Sequence, residues 1–237
     1  MLQLLHTHRA RFAAIASLVV VTACSPGDML TGPSVRSSVG RAPVHVPILF
    51  VHGWMSTSAT WNTMVSRFKG DGWTDSELST FTYNTSQSNA TTAAIIKTKV
   101  DSIIAATGAR RVDIVTHSMG TLSAHYYIKY LGGDRKIDAL VSLGGTNHGT
   151  ATASLCKQVS CVEMRLNSSF ITSLNAVDET WGPARWATWW SACDEVIIPQ
   201  TSTILSGATN TQTACLQHSD LHEDLTVYTQ VKAWVAP

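Results

Sequence analysis

The sequence is poor in charged residues, and the charges it has nearly cancel. Asp, Glu, Lys and Arg make up 14% of its 237 residues, with 17 basic and 16 acidic side chains. Without an excess of Lys and Arg, we expect no nucleic-acid partner. The low charge also excludes a long coiled coil, and a hydrophobic content of 44% excludes a disordered chain. A globular protein remains, of a length that fits one domain.

The sequence also lacks a hydrophobic run long enough for a stable membrane span near its start. The run Phe12–Ala23 covers about 18 Å as a helix, against about 30 Å of hydrocarbon. Arg9 and Arg11 precede it, so residues 1–23 are predicted to be an export signal. The run ends in Val-Thr-Ala-Cys24, which resembles the lipobox of bacterial lipoproteins and implies lipidation of Cys24. The alternative is an ordinary secretory signal that is cleaved near Ala23.

Cysteine is scarce, and its number is odd. Export implies an oxidising compartment, in which cysteines pair. If Cys24 carries lipid, four of the five cysteines remain for disulfides, namely Cys156, Cys161, Cys193 and Cys215. Three pairings are possible, and the local one joins 156 to 161 and 193 to 215.

Residues 24–43 are rich in Ser, Gly and Pro and show no apolar period, which predicts a flexible tether. The folded domain is then expected over residues 44–237. Within it, continuous apolar runs predict strands at 46–51, 78–83, 111–116, 137–143 and 187–191. Helical spacing of apolar residues predicts helices at 59–69, 93–107, 122–131 and 227–235. This alternation predicts an α/β fold, with a mainly parallel sheet flanked by helices.

The segment Thr116-His117-Ser118-Met119-Gly120 lies between the third predicted strand and the third predicted helix. A serine on such a sharp turn exposes its hydroxyl above the sheet, and small neighbours relieve the strained backbone. The segment therefore predicts a nucleophile elbow with Ser118 as the nucleophile. Thr116 replaces the first glycine of the usual Gly-x-Ser-x-Gly pattern. A serine that only caps the helix is the alternative.

A second motif, Val-His-Gly-Trp at 51–54, directly follows the first predicted strand. Hydrolases use a His-Gly turn at this place to aim a backbone N–H at the substrate oxyanion. Together with VDIVTHSMG at 112–120, YYIKYL at 126–131, SLGGTNHGT at 142–150 and CDEVIIP at 193–199, this motif makes residues 44–237 resemble the class 2 group of secreted bacterial lipases. That resemblance implies the α/β-hydrolase fold, and an oxyanion hole formed by the N–H groups of Trp54 and Met119.

The resemblance also implies a catalytic triad in the chain order serine, acid, histidine. Only His218 and His222 follow the expected acid, so both are candidates for the base. His218 is favoured because Leu221, Asp224 and Val227 follow it in the frame in which the family's histidine loop enters the last helix. His52 and His117 are expected to line the site.

Asp194 is the predicted acid, because it comes at the end of the predicted fifth strand, here extended to residues 186–192, and leaves room for one short connection before His218. Four other acids are ranked lower because they point away, lie in an irregular segment or decorate a helix start, namely Glu195, Asp178, Asp220 and Asp224. Cys193 and Cys215 lie close in sequence to the predicted acid and base. If the acid and the base meet, a Cys193–Cys215 bridge is geometrically plausible.

The segment 149–186 is expected above the catalytic face, as a wall of an acyl pocket, a small flap or an ordinary packed insertion. We find no metal-ligand spacing and no phosphate loop, so neither a metal nor another cofactor is expected. The resemblance implies a monomeric serine hydrolase of acyl esters or lipids, which is secreted or lipid-anchored through Cys24. The alternatives are a polyester hydrolase, a thioesterase or an amidase with the same triad, or a non-catalytic surface lipoprotein that binds lipid or a partner.

Overall fold

The computed structural model of the chain describes residues 44–236. The predicted export signal, the lipidation site Cys24 and the tether through residue 43 lie outside the described residues and stay predictions. In the described part of the chain, no helix combines the length and the hydropathy that crossing a bilayer requires.

Six parallel strands form one sheet, in the order β2-β1-β3-β4-β5-β6. The strands are β1 Ile48–Val51, β2 Leu78–Thr80, β3 Val112–His117, β4 Ile137–Leu143, β5 Arg185–Trp190 and β6 Thr209–Gln212. The prediction of an α/β fold with a mainly parallel sheet is therefore confirmed.

Helices cover both faces of the sheet. They are α1 Asn62–Gly70, α2 Asn89–Thr107, α3 Gly120–Tyr130, α4 Val159–Met164, α5 Ser169–Asn175 and α6 Leu225–Val235. Five short 3-10 helices are also present in the described residues, at Ser58–Trp61, Gly133–Arg135, Ala151–Leu155, Gln200–Thr203 and His218–His222.

The central strands β1, β3 and β4 have mainly apolar sequences because they are buried on both faces. In β1, Leu49 and Val51 pack in a core with α2 and α3, whereas Ile48 and Phe50 pack in a second core with α1 and α6. Successive side chains along β1 thus point alternately into two hydrophobic cores, and none of them points to solvent. This packing holds the strands rigidly and so fixes where their carboxyl ends lie.

The differences from the sequence predictions occur mainly in the second half of the chain. β6 was not predicted, because its sequence Thr-Asn-Thr-Gln is polar and its side chains are mostly exposed at the sheet edge. The fifth strand ends at Trp190 and does not reach Asp194. The segment 149–186 contains two short helices, α4 and α5. In the first half, the helix predicted at 59–69 begins with a 3-10 turn before α1.

Candidate active site

The residues expected to carry the chemistry lie at one edge of the sheet. Because all six strands are parallel, their carboxyl ends meet at this edge, where ligands of α/β proteins bind. The loops after β1, β3, β5 and β6 carry, in that order, Trp54, Ser118, Asp194 and His218. The topology therefore brings together four segments that are far apart in sequence.

Ser118 lies on a tight turn between β3 and α3. Its φ angle is +56°, a left-handed conformation that costs a residue other than glycine about 1 kcal/mol or more. Its N–H donates to the carbonyl of Leu143, at the end of β4, at 2.9 Å. Gly120 lets α3 approach β1, since a Cβ there would lie 2.6 Å from the carbonyl oxygen of Val51. This is the geometry of a nucleophile elbow.

Thr116, which replaces the first glycine of the usual elbow pattern, is fully buried. Its hydroxyl donates to the carbonyl of Val141 at 2.7 Å and lies 2.7 Å from Oγ1 of Thr121. These partners satisfy the buried hydroxyl and connect β3 to β4 and to α3. The departure from the glycine pattern therefore leaves the turn undisturbed.

A hydrogen bond joins Asp194 and His218, which are both buried. Nδ1 of His218 donates to Oδ2 of Asp194 at 2.8 Å. The other carboxylate oxygen, Oδ1, accepts from the N–H groups of Val196 and Ile197 at 2.9 and 2.8 Å. Three donors thus hold the carboxylate in one orientation, and the carboxylate in turn sets the tautomer of the imidazole.

With Nδ1 protonated, Nε2 of His218 is the acceptor of the neutral ring. It is buried and has no hydrogen-bond partner within residues 44–236, Ser118 included. Ser118 and His218 nevertheless line the same cavity. Hydrogen bonds of catalytic groups often tighten only when substrate binds, so this arrangement suits a base that takes a proton from a group in the cavity.

Gly144, at the end of β4, makes room for the Asp194–His218 pair. It has a φ of +51°, and a Cβ there would lie 3.1 Å from Nδ1 of His218 and 3.2 Å from Oδ2 of Asp194. A side chain would also lie 2.8 Å from Cδ1 of Leu221. This role of Gly144 was not predicted from the sequence. The Gly-Gly pair inside the motif at 142–150 was the available signal.

His222, the other candidate base, lies in the same cavity but not at the acid. Its ring packs edge-on against His117, with the centroids 4.7 Å apart. Its Nδ1 is 3.3 Å from Oε1 of Glu223, although the angle is not that of a hydrogen bond. Burial lowers the pKa of His222. The structure therefore brings His218, and not His222, to Asp194.

The lower-ranked acids make other contacts. Asp178 accepts from the N–H of Thr180, and Asp224 caps α6 by accepting from the N–H of Val227. Glu195, expected to point away, accepts from the backbone N–H of His218 at 3.0 Å. That expectation was wrong because it assumed an alternating strand, and β5 ends at Trp190.

The N–H groups of Trp54 and Met119 have no acceptor within residues 44–236. His52 does not line the cavity, contrary to expectation. Its Nδ1 donates to the carbonyl of Gly53 at 2.8 Å, and its ring stacks on Tyr83 at 4.2 Å. Because a trans peptide points its C=O and N–H in opposite directions, fixing the Gly53 carbonyl also fixes the Trp54 N–H.

A cavity of about 580 Å³ lies above Ser118 and His218. Part of its lining is apolar and comes mainly from the segment 149–186, namely Ala153, Leu155, Cys156, Met164 and Val196. Another part is polar and includes Ser56, Thr60, Glu195, Ser219 and His222. The cavity can thus hold an apolar chain beside a polar group. No cluster of His, Cys, Asp and Glu in residues 44–236 has the arrangement of a metal site.

The segment 149–186 is anchored to the domain beside the cavity. The carboxylate of Glu163, in α4, accepts from the N–H and the side-chain amide of Asn89 and from the hydroxyl of Ser88, at the start of α2. Met164 and Cys161 are buried in the core that contains α2 and α3. The segment therefore forms a packed wall of the cavity.

Residues 44–236 contain two disulfides, Cys156–Cys161 and Cys193–Cys215, with Cα–Cα distances of 5.9 and 5.1 Å. The local pairing is confirmed. Cys156 lines the cavity, whereas Cys193–Cys215 joins the loop of Asp194 to the loop of His218. Each disulfide thus braces a different side of the candidate site.

A family model described as Lipase (class 2) matches residues 45–235. The match covers almost the whole chain beyond the predicted tether, so the chain belongs to this family, and the resemblance seen in the sequence is confirmed. Membership supports a hydrolase of the lipase or esterase type.

Solved structures share the fold at low sequence identity. The mature lipase BlEst2 of Bacillus licheniformis is 16% identical with a TM-score of 0.72, over 82% of this chain and 94% of that one. Lipase B of Aspergillus fumigatus is 17% identical with a TM-score of 0.65, over 78% and 51%. An α/β hydrolase from a metagenome of Moroccan lagoon sediments, MGS-MChE2, is 16% identical with a TM-score of 0.57, over 82% and 91%. These likenesses show the α/β-hydrolase fold.

Proposed function

We propose that the protein is a serine hydrolase of carboxylic esters, a lipase or esterase that acts through Ser118, His218 and Asp194. The hydrogen bond of 2.8 Å between Nδ1 of His218 and Asp194 carries the proposal. It leaves Nε2 as the proton acceptor in the cavity that Ser118 also lines. A serine hydroxyl becomes an effective nucleophile only with such a base.

In the proposed reaction, Oγ of Ser118 attacks the ester carbonyl while Nε2 of His218 takes its proton. The N–H groups of Trp54 and Met119 stabilise the oxyanion of the tetrahedral intermediate. The imidazolium then gives its proton to the departing alcohol, which leaves an acyl enzyme. A water molecule, deprotonated by the same nitrogen, then attacks the acyl enzyme; the bond between the acyl carbon and Oγ of Ser118 breaks, the imidazolium returns its proton to Oγ, and the acid is released.

The mixed lining of the cavity supports an acyl ester as the substrate. An acyl chain gains free energy when it leaves water for the apolar wall formed by the segment 149–186. The polar wall suits the alcohol part of the ester. Polyester hydrolysis, thioester hydrolysis and amide hydrolysis would use the same groups and are separated by the assay below.

We also propose that the protein is exported. Both disulfides support an oxidising compartment. The mass of the N-terminal peptide of the mature protein tests the predicted route, since lipidation adds acyl mass to Cys24, whereas ordinary secretion leaves an unmodified N-terminus near Ala23.

Labelling with a fluorophosphonate tests the catalytic proposal, because such a probe reacts only with an activated serine. We expect the wild-type protein and the surface variant Ser102→Ala to be labelled, and Ser118→Ala to remain unlabelled and to lose ester turnover by several orders of magnitude. Wild-type turnover by a folded Ser118→Ala variant would contradict the proposal. An unlabelled wild-type protein without turnover would favour a binding protein.

A series of p-nitrophenyl esters from C2 to C16, with a matched thioester, a matched amide and a polyester film, defines the substrate class. Oxygen esters of single acyl chains should give the highest kcat/KM. Preferred cleavage of the thioester, the amide or the polyester would replace the proposed substrate class and leave the triad in place.

A further inference from the structure

Asp194 is not the only side chain that holds the proposed base, His218; two other side chains in residues 44–236 bond to its main chain. We propose that His117 and Glu195 are positioning residues that fix the main chain of His218. This inference rests on the proposed function, because it concerns how the base of that reaction is aligned.

Both peptide groups of His218 are bonded to side chains. Its N–H donates to Oε2 of Glu195 at 3.0 Å, and its C=O accepts from Nε2 of His117 at 3.0 Å. His117 directly precedes the nucleophile, and Glu195 directly follows the acid. The residue next to the proposed nucleophile and the residue next to the proposed acid thus hold the backbone of the proposed base.

The need for this bracing follows from the position of His218. It begins a five-residue 3-10 helix that follows the edge strand β6. A single hydrogen bond from Nδ1 to Asp194 leaves the imidazole free to swing about that bond, which would displace Nε2. Fixing the N–H and the C=O of the residue fixes its Cα and so removes this motion.

His117 suits this role because its bond to a carbonyl requires a proton on Nε2. Burial, with His218 and His222 nearby, lowers the pKa of His117 well below its ordinary value. The ring therefore stays neutral although its centroid is 4.4 Å from that of His218. It can hold the backbone without placing a second positive charge beside the imidazolium that forms during the reaction.

Glu195 offers the cleaner test because it is exposed, so its replacement leaves the core intact. In Glu195→Ala the N–H of His218 loses its acceptor, whereas in Glu195→Gln the amide oxygen can still accept it. Asp220 provides the matched control. It is an exposed carboxylate two residues after His218, and its side chain makes no hydrogen bond within residues 44–236.

The experiment measures kcat and KM for a short-chain p-nitrophenyl ester. We expect Glu195→Ala to lower kcat by about tenfold to 100-fold with little change in KM, since a displacement of about 1 Å has such an effect. Glu195→Gln should recover most of the lost kcat, and Asp220→Ala should match the wild type. In the core, His117→Gln, which keeps an N–H near the position of Nε2, should retain more kcat than His117→Phe.

Wild-type kcat in Glu195→Ala would overturn the inference. An equal loss in Glu195→Ala and Glu195→Gln would also overturn it, because charge and not the hydrogen bond would then matter. The Ser118→Ala variant in the same assay separates the two proposals. If it is inactive while Glu195→Ala is unimpaired, only the positioning role fails, and if Ser118→Ala retains wild-type turnover, the proposed function fails as well.

Discussion

The nucleophile side of the candidate site, residues 48–131, and the acid–base side, residues 185–222, reach the same cavity by different means. Ser118 is placed by its local backbone, between a strand buried along its whole length and a helix that packs on the neighbouring strand. Asp194 and His218 are 24 residues apart, and their loops are joined by side-chain hydrogen bonds and by the disulfide Cys193–Cys215. Hydrophobic packing thus fixes the first side, and polar cross-links fix the second.

This difference determines which kind of substitution should impair each side. On the nucleophile side, an added atom has no space, so volume is the sensitive quantity. On the acid–base side, the loss of one polar group or one covalent bond is enough to release a loop. Four sets of variants test this contrast.

The largest effect is expected when the base is removed. His218→Ala should lower kcat by roughly three to six orders of magnitude, because members of a triad act as a unit. His222→Ala should keep most of the activity, since His222 makes no hydrogen bond to Asp194. Steady-state kinetics on purified, folded variants decides between them. The reverse ranking would move the base to His222 and leave the elbow in place.

Volume on the nucleophile side is tested by Gly120→Ala. The new Cβ would lie 2.6 Å from the carbonyl oxygen of Val51 and 2.7 Å from that of His52, so α3 must shift away from β1. We expect a destabilisation of about 1–3 kcal/mol and a fall in kcat of about 100-fold. Thermal melting and kinetics measure the two quantities.

Gly70→Ala is the matched control, since Gly70 ends α1 and a Cβ there would have no neighbour within 4 Å. It should retain the wild-type melting temperature and kcat. If Gly120→Ala behaved like Gly70→Ala, the close approach of α3 to β1 would not be what holds the elbow.

The same contrast explains what the sequence could predict. β1 and β3 were found because strands buried on both faces leave continuous apolar runs, and the elbow follows from strand, turn and helix in order. β6 leaves no such signal, since its polar side chains lie at a sheet edge. The role of Glu195 depends on the path of the chain after Trp190, and no local pattern encodes that path. Contacts between distant loops could thus be identified only from the structure, whereas local geometry could be predicted from the sequence.

Removing each disulfide in turn compares the acid–base side, which contains Cys193–Cys215, with the cavity wall, which contains Cys156–Cys161. Loop entropy predicts about 3 kcal/mol of stabilisation from Cys193–Cys215 and about 2 kcal/mol from Cys156–Cys161, given sequence separations of 22 and 5. Cys193→Ser/Cys215→Ser should lose melting temperature and kcat together, because it releases the loops of Asp194 and His218. Cys156→Ser/Cys161→Ser should mainly change the preferred acyl chain length.

Melting curves and the p-nitrophenyl ester series, applied to both double variants, measure these effects. Cys193 and Cys215 are exposed, whereas Cys161 is fully buried. Mild reductant should therefore break Cys193–Cys215 before Cys156–Cys161, and the protein should first show the properties of the Cys193→Ser/Cys215→Ser variant. A Cys193→Ser/Cys215→Ser variant with wild-type kcat would show that hydrogen bonds alone keep the acid and base loops aligned.

The smallest effect on catalysis is expected from His125, in α3, which lies in the core away from the cavity lining. Its ring packs edge-on against Trp186, and neither ring nitrogen has a hydrogen-bond partner within residues 44–236. Burial lowers the pKa of His125 from 6.5 to about 3. Between these values the unfolded chain binds a proton that the folded chain does not, so stability must fall as the pH falls.

The slope from this one group is at most about 1.4 kcal/mol per pH unit. His125→Phe keeps a ring against Trp186 and removes the titration, so its melting temperature should fall less steeply than that of the wild type between pH 6.5 and 4.5. Some slope should remain in the variant, because burial also lowers the pKa values of His52, His117 and His222. Above pH 7.5 His125 is neutral in both the folded and the unfolded chain, so the difference between the two proteins should become constant there. Parallel curves down to pH 4.5 would mean that His125 accepts a proton as readily in the folded protein as in the unfolded chain, and that the core around α3 opens to water at acidic pH.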